Sequence, residues 1–310
     1  EPETFFAEMS STDFSSVPWH IIVILISAAV LIFGISGGIE KINKVMMPTF
    51  FILFVIIAAR VAFLPNAIEG YKYLLVPQWE YLFNPRTWIM AMGQAFFSLS
   101  ITGSGMIIYG SYLPKNEDVV HSSCMTAVLD TCAAMLAGFA ILPSVFSFGL
   151  DPASGPKLLF ITLPRVFQQM PFGRLFAFFF FLSVLFAGIT SLANMLEAVS
   201  EAAQTRLKLN RKAAVLLACG AALAVGLFIE RDALMGTLMD VITIYIVPIG
   251  AILGAVMVYW VLGLPTIKKE LMTGRDKPLS RAFDPLAKYV YIFLAALVVL
   301  FSFTIPGGIG

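Results

Sequence analysis

The chain has 310 residues, of which 59% are hydrophobic and 13% are charged, and its formal net charge is +1. A mean hydropathy of +0.89 excludes a soluble globular domain, because the water-exposed surface of such a domain requires a larger share of charged side chains. The small net charge and the lack of blocks of like charge argue against nucleic acid as a partner. The composition instead predicts an all-α polytopic membrane protein, since helices satisfy their own backbone hydrogen bonds in lipid.

About eight transmembrane helices are expected, because eight apolar stretches reach the length of about 20 residues that crosses a hydrocarbon core. They cover residues 19–38, 46–64, 87–113, 119–148, 173–203, 213–229, 234–262 and 286–303. Residues 1–18 carry acidic but no basic side chains, and most Lys and Arg lie in alternate connections, including 114–118, 206–212 and 263–285. The positive-inside rule therefore predicts that residues 1–18 are extracellular and that these basic connections are cytoplasmic. Because the chain opens on Glu1 in a loop-like segment, we expect an N-terminal part of the natural protein to precede it.

The third apolar stretch is interrupted near its centre. Gly103 and Gly105 lie there among Ser100, Thr102 and Ser104, a composition that lets a helix stop and restart. Unpaired backbone groups cost several kcal/mol in hydrocarbon, so such a break persists only where those groups are buried in protein or bind something. Discontinuous helices form the substrate and ion sites of secondary transporters. The break therefore predicts a transport site.

Three polar positions within the other apolar stretches are candidate sites. Asp130 lies well inside its stretch, where an ionisable group costs about 3 kcal/mol, so it is paired, protonated, bound to a cation or hydrogen-bonded to a neighbouring helix. Thr190 and Ser191 follow Ala187, and their oxygens suit a hard cation, although on spacing alone such hydroxyls more often bond to their own helix. Asp240, near the outer end of its stretch, is either a site residue or an ordinary interfacial acid.

Enzymatic chemistry is not indicated. His20 and His121 stand at the ends of apolar stretches without a Cys or carboxylate at a catalytic spacing, and the three cysteines have no paired spacing. We therefore expect no enzyme. A channel or a non-transporting membrane sensor stays open from the residues alone.

Several segments resemble the bacterial branch of the neurotransmitter:sodium symporter family, in the family's order and over nearly the whole chain. They are Gly-Gln-Ala-Phe-Phe-Ser-Leu-Ser at 93–100 with Tyr-Gly-Ser-Tyr at 109–112, Phe-Ile-Thr-Leu-Pro at 160–164, Phe-Ala-Gly-Ile-Thr-Ser at 186–191 and Leu-Lys-Leu-Asn-Arg-Lys at 207–212. The resemblance implies a LeuT-type inverted-repeat fold, with residues 1–310 as one transmembrane transporter domain that corresponds to helices 4–11 and lacks the first three helices. It further implies sodium-coupled uptake of an amino acid, neutral and either hydrophobic or aromatic, across the plasma membrane by alternating access. No particular oligomeric state is implied.

The resemblance also assigns roles to individual residues. Substrate binding is implied for Phe97, Ser98, Ser100, Gly103, Ser191 and Met195. Two sodium sites are implied, the first with Ser98 and Asp130 and the second with the Ala187 carbonyl, Thr190 and Ser191. Asp240 matches the acidic half of an outer gate, and residues 160–164 match an external lid.

Departures from the family pattern modify these expectations. Gly103 replaces a bulky residue of relatives and suggests space for a large substrate side chain. Thr205 stands where an acidic inner-gate residue is common, unless Glu201 substitutes for it. Ala134 stands where relatives carry a chloride-site serine or a chloride-replacing acid, and the negative charge of Asp130 predicts transport without chloride. A proton-coupled or other cation-coupled carrier of the same fold is the alternative.

Overall fold

The computed structural model describes residues 16–33, 40–101, 105–149, 151–152, 159–160, 163–168, 170–229, 234, 237–238 and 241–304. Regular secondary structure in these ranges is helical. In chain order the α-helices longer than one turn are α1 (Val17–Ile32), α2 (Glu40–Val61), α3 (Ala67–Leu75), α4 (Pro85–Ser98), α5 (Gly105–Tyr112), α6 (Val119–Ser147), α7 (Leu163–Gln168), α8 (Gly173–Leu207), α9 (Arg211–Phe228), α10 (Val247–Val256), α11 (Leu264–Leu271) and α12 (Tyr291–Thr304). A 3₁₀ turn, Trp79–Phe83, precedes α4, and π-helical turns flank α10 and precede α12.

Within the described residues, six helical segments are long and apolar enough to cross a membrane. They are Asn43–Val61, Val119–Ser147, Gly173–Leu207, Arg211–Phe228, Val247–Leu271 and Phe283–Phe301. Each overlaps a crossing predicted from the sequence, although Val247–Leu271 begins and ends later than the predicted stretch 234–262. The two further predicted crossings fall on α1, which is apolar but shorter, and on the interrupted pair α4 and α5. Their membrane passage, and with it the number eight, stays a prediction.

The chain forms two compact units. Unit 1 comprises Glu1–Pro77 and Thr131–Asp232, and unit 2 comprises Gln78–Asp130 and Ala233–Gly310. The long helix α6 contributes its first part to unit 2 and the remainder to unit 1.

Unit 1 is organised around the long helix α8. One apolar cluster joins α8 to α1 and α9, with Leu31, Leu196 and Val215 buried in it. A second cluster joins α8 to α2 and α7 through Phe54, Phe167 and Phe180. Packing on both sides fixes α8, which carries the predicted second sodium site.

The short helix α3 lies directly against the later half of α6 in unit 1. A Cβ added at Gly70 would lie 2.4 Å from the Cα of Pro143, so only glycine permits this approach. The Tyr71 ring lies 5.9 Å from that of Phe139, and the Tyr73 ring lies 5.2 Å from that of Phe146.

Unit 2 joins α4 to α10 and α12. Asn84 caps α4 by accepting a hydrogen bond from the backbone N–H of Arg86, and Pro85 occupies the first helical position, where its missing N–H costs nothing. Phe96 on α4 is buried with Ala251 and Ala295. This contact holds the end of α4 that leads into the break.

Candidate functional site

The helix break predicted from the sequence is present in unit 2. Helix α4 ends at Ser98, residues 99–101 are not helical, and α5 begins at Gly105. The predicted substrate residue Gly103, with residues 102 and 104, lies outside the described part of the chain.

A Schellman motif ends α4. The N–H of Ile101 donates to the carbonyl of Phe96 at 3.1 Å, and the N–H of Ser100 donates to the carbonyl of Phe97 at 3.0 Å, which is the bonding pattern of this motif. Ser100 has φ +51°, a left-handed conformation that costs a non-glycine residue about 1–2 kcal/mol. The chain is therefore turned out of the helix at a strained serine.

The predicted substrate residues at the break are accessible in the described structure. Phe97 is 54% exposed, Ser98 is half-buried and Ser100 is exposed. The neighbouring Phe96 is buried instead. The break therefore presents one aromatic ring and two hydroxyl groups outside the apolar core of unit 2.

The predicted second sodium site lies on α8 in unit 1. The Thr190 hydroxyl donates to the carbonyl oxygens of Phe186 at 3.1 Å and Ala187 at 2.9 Å. The internal hydrogen bond, which spacing alone favoured, is thus present. It also places two of the predicted ligands, the Ala187 carbonyl and the Thr190 hydroxyl oxygen, side by side. Both can contact one hard cation, because an ion of the size of Ca²⁺, close to that of Na⁺, keeps oxygen ligands at about 2.3–2.6 Å.

Ser191 and Met195 lie on an exposed face of α8. Gly188, Ser191, Met195 and Val199 follow one another at helical spacing and are all exposed, and Met195 is 64% exposed. Thr190 is buried. The two adjacent hydroxyls therefore lie on different sides of the helix, and the described residues do not cover the predicted substrate face.

The structure describes two of the three acidic residues that the sequence singled out. Asp130 is half-buried and makes no hydrogen bond or ion pair with any residue that the structure describes, so the hydrogen bond to a neighbouring helix is not seen. Asp240 lies outside the described residues. Glu201 accepts hydrogen bonds from Thr205 and Gln204 on its own helix, each at 3.2 Å.

A buried ion pair in unit 1 was not predicted from the sequence. The Arg211 guanidinium donates to both carboxylate oxygens of Glu197, at 3.1 and 2.8 Å, and its Nε donates to the carbonyl of Leu31 at 2.8 Å. Lys208, with φ +55°, ends α8, and Asn210 caps α9 by accepting from the N–H of Ala213. This tight turn brings Arg211 back to Glu197 and joins α1, α8 and α9. The detectable signal was an acid within the apolar stretch 173–203, ahead of a basic turn.

A second ion pair, in unit 2, joins two connections that the sequence places on the cytoplasmic side. Arg275 donates to both carboxylate oxygens of Asp118, at 2.9 and 2.6 Å. Asp118 also accepts from the backbone N–H of His121 at 3.0 Å and so caps α6. That hydrogen bond, followed by the one from Arg275, holds the pKa of Asp118 below its usual value of 3.8.

The residues that the structure describes form helices, six of them of membrane length, together with a broken helix that presents polar groups. These are features of a multi-pass membrane protein, and broken helices of this kind form the binding sites of secondary transporters. Residues 5–306 match the family model described as the Sodium:neurotransmitter symporter family. The chain belongs to this family, which confirms the resemblance found in the sequence.

Relatives agree with this assignment. The chain is 40% identical over 194 residues to a sodium-dependent transporter, YhdH, of Bacillus subtilis, a match that covers 63% of this chain and 43% of the relative. It is 32% identical over 307 residues to a sodium-dependent transporter of Methanocaldococcus jannaschii, covering 92% of this chain and 61% of the relative. The crystal structure of MhsT in complex with L-phenylalanine has the same fold, with a TM-score of 0.86 and 24% identity, over 96% of this chain and 70% of MhsT. The chain thus spans about half the length of the two curated relatives.

Proposed function

We propose that the full-length protein is a symporter that couples the inward movement of an amino acid to the sodium gradient by alternating access. The observation that carries this proposal is the broken helix α4–α5 in a chain of the sodium symporter family. The proposed substrate is a neutral amino acid with a hydrophobic or aromatic side chain. The phenylalanine in the MhsT structure supports that choice.

The proposed substrate site uses main-chain groups at the break and side chains around it. Helix ends carry partial charges, and the positive N-terminal end of a half-helix suits the carboxylate of an amino acid. Ser98 and Ser100 add hydroxyl groups, and Phe97 adds an apolar wall. Gly103 would leave space for a large side chain, and Ser191 and Met195 on α8 are the other residues proposed to bind the substrate.

Two sodium sites are proposed. The Ala187 carbonyl, Thr190 and Ser191 form the second site, supported by the distance of 2.9 Å between the first two oxygens. Ser98 and Asp130 form the first site, and Asp130 is available because it makes no hydrogen bond or ion pair within the described residues. Sodium shifts the conformational equilibrium only if it binds better to the state in which its ligands converge. The fixed charge of Asp130 removes the need for chloride.

The place of the chain in the family fold is also part of the proposal. Residues 1–310 form one transporter domain with eight crossings that correspond to helices 4–11, and Asp240 forms the acidic half of the outer gate. The relatives extend beyond this chain, and the first three helices would supply the other half of both sodium sites. We therefore expect the 310-residue segment alone neither to transport nor to bind its substrate with normal affinity.

The decisive experiment measures uptake of radiolabelled L-phenylalanine and L-leucine by the full-length protein in proteoliposomes. Replacing external sodium by choline should abolish uptake, and replacing chloride by gluconate should not change it. Thr190→Ala should raise the sodium concentration that gives half-maximal uptake. Thr126→Ala is the matched control, because the Thr126 hydroxyl also bonds to its own helix, at 2.9 Å from the Ser122 carbonyl, and has no proposed role.

Each rival function predicts a different result. A proton-coupled carrier would keep its uptake in choline and would respond to an imposed pH gradient. A sensor would bind the amino acid without accumulating it. Uptake that collapses in gluconate would disprove only the chloride-independent part of the proposal.

A further inference from the structure

The half-helix α5 is exposed in the described structure. None of its eight residues is buried, and a Cβ added at Gly105 or Gly110 would meet no atom within 4 Å. A short helix with little buried surface depends on the segments at its ends for its position. Its N-terminal end follows the break, so the anchor at its C-terminal end contributes to where it lies.

The C-terminal end of α5 leads into a compact turn. The N–H of Leu113 donates to the carbonyl of Gly110, and the N–H of Glu117 donates to that of Pro114 at 3.0 Å. Asp118 then caps α6. Five residues thus separate the last residue of α5 from Asp118, whose carboxylate Arg275 binds.

The loop after α11 closes on this turn at two points, which we call the cytoplasmic clasp. The first is the bidentate ion pair of Arg275 with Asp118, whose side chains are only 17% and 30% exposed, respectively. The Nε of Arg275 also donates to the carbonyl of Lys277 at 2.9 Å, which fixes the guanidinium. The second is Gly274, where an added Cβ would lie 2.1 Å from the carbonyl oxygen of Glu117. The loop backbone therefore touches the turn without space for a side chain.

We propose that Arg275 and Asp118 are positioning residues, which hold the end of α5 so that the polar break before it keeps the arrangement that binds sodium and substrate. This inference rests on the function proposed above. Bidentate hydrogen bonds between a guanidinium and a carboxylate fix the relative orientation of the two groups as well as their distance. The clasp therefore makes α5 and the loop after α11 move as one body.

The first test measures the mobility of α5 directly. Ile108→Cys, in full-length protein whose exposed Cys124 and Cys132 are replaced by serine, is labelled with a maleimide after detergent solubilisation. Arg275→Gln should raise the labelling rate about twofold to tenfold, the range that the net contribution of a typical intramolecular hydrogen bond implies. Asp118→Asn should have the same effect, because asparagine keeps an oxygen that can cap α6 but loses the charge and the second acceptor for Arg275. Arg275→Lys should fall between Arg275→Gln and the unmodified protein.

Controls separate the clasp from loop charge and from folding. Lys277→Gln removes a positive charge from the same loop, where the exposed Lys277 side chain makes no bond within the described residues, and should leave the rate unchanged. The double variant of Asp118→Asn with Arg275→Gln should label no faster than either single variant, because both remove one interaction. Size-exclusion profiles show which variants are folded. If Arg275→Gln is not folded, Asp118→Asn provides the test of the clasp.

Transport then tests the consequence for the site. Arg275→Gln and Asp118→Asn should raise the sodium concentration for half-maximal uptake, by about the factor by which they raise the labelling rate, with kcat nearly unchanged. Folded variants that label at the unmodified rate would overturn the clasp, and so would an equal rise in Lys277→Gln. A loss of kcat with an unchanged sodium requirement would overturn the positioning role. If the unmodified protein shows no sodium-dependent uptake, the proposed function fails, whereas the labelling rates still decide whether the clasp holds α5.

Discussion

Replacing Arg211 by methionine should destabilise unit 1 strongly. Methionine keeps much of the apolar stem of arginine but removes all three hydrogen bonds to Glu197 and to the carbonyl of Leu31. The Glu197 side chain has no solvent-exposed surface, whereas that of Arg211 is 25% exposed. Arg211→Met therefore leaves a carboxylate that has no solvent-exposed surface and has lost both hydrogen bonds from the guanidinium.

The magnitude follows from the burial of the carboxylate. Removing one partner of a buried ion pair costs about 3–5 kcal/mol, and the partial exposure of Arg211 places the expected value near the lower end. An unfolding entropy of about 2.1 cal/mol/K per residue means that one kcal/mol lowers Tm by about 1.5 °C in a chain of 310 residues. We therefore expect a decrease in Tm of roughly 5 °C, and a smaller one in a longer chain.

The assay is thermal unfolding of the full-length protein in detergent, followed by size-exclusion chromatography with fluorescence detection. Arg206→Met is the matched control, because Arg206 lies in the same basic segment, is exposed and makes no bond within the described residues. Combining Arg211→Met with Glu197→Leu should recover most of the loss, since no buried charge is left unpaired. The reasoning is refuted if Arg211→Met melts with the control, or if the double variant is as unstable as Arg211→Met alone.

Three further predictions concern single positions. Gly70→Ala should lower stability by about 1–3 kcal/mol, because its Cβ would overlap the backbone at Pro143. Gly220→Ala is the control: a Cβ there meets nothing within 4 Å, so it should stabilise α9 by about 0.5–1 kcal/mol. Equal melting temperatures of the two variants would contradict the close contact at Gly70. Ser100→Gly should raise Tm by a few degrees, because glycine adopts the observed φ of +51° without strain, and an unchanged or lower Tm would show that this residue is not strained. The lowered pKa of Asp118 keeps its carboxylate ionised as pH falls from 8 to 5, and the stability that this carboxylate adds is lost only when the pH falls through the lowered pKa. Maleimide labelling slows as pH falls because it requires the thiolate, so the rate at Ile108→Cys is divided by the rate of the same protein with Arg275→Gln at the same pH. This ratio should stay constant over the range, and a ratio that approaches one by pH 5 would contradict an intact clasp.

Hydropathy predicted the long helices because length and apolarity are local properties of the chain. The predicted stretch 119–148 matches α6, and 213–229 matches α9, within two residues at each end. The break was predicted for the same reason, from glycine and hydroxyl residues within an apolar run. Among the described residues at the break, Ser100 turns the chain, since a Schellman motif accepts a strained residue where the surrounding structure demands it.

The ion pairs could not be predicted in the same way. Arg275 and Asp118 are 157 positions apart, and hydropathy gives the length of a helix but not its neighbours. Glu197 was not predicted to form an ion pair because the residues around it in the sequence are apolar. An acid in such a place nevertheless needs a partner. For Thr190, the spacing favoured an internal hydrogen bond and the resemblance favoured a sodium ligand. The structure shows the first, and the same geometry is compatible with the second.

The ion pair of Glu197 with Arg211 also has a consequence for insertion of the chain into the membrane. Glu197 leaves the ribosome before Arg211, and an uncompensated acid at membrane depth costs about 3 kcal/mol during insertion. We expect α8 and α9 to enter the bilayer together as a hairpin, with the carbonyl of Leu31 bound only after both have arrived. A chain truncated after Leu207 should therefore insert α8 less efficiently than one truncated after Phe228, and Glu197→Gln should remove the difference.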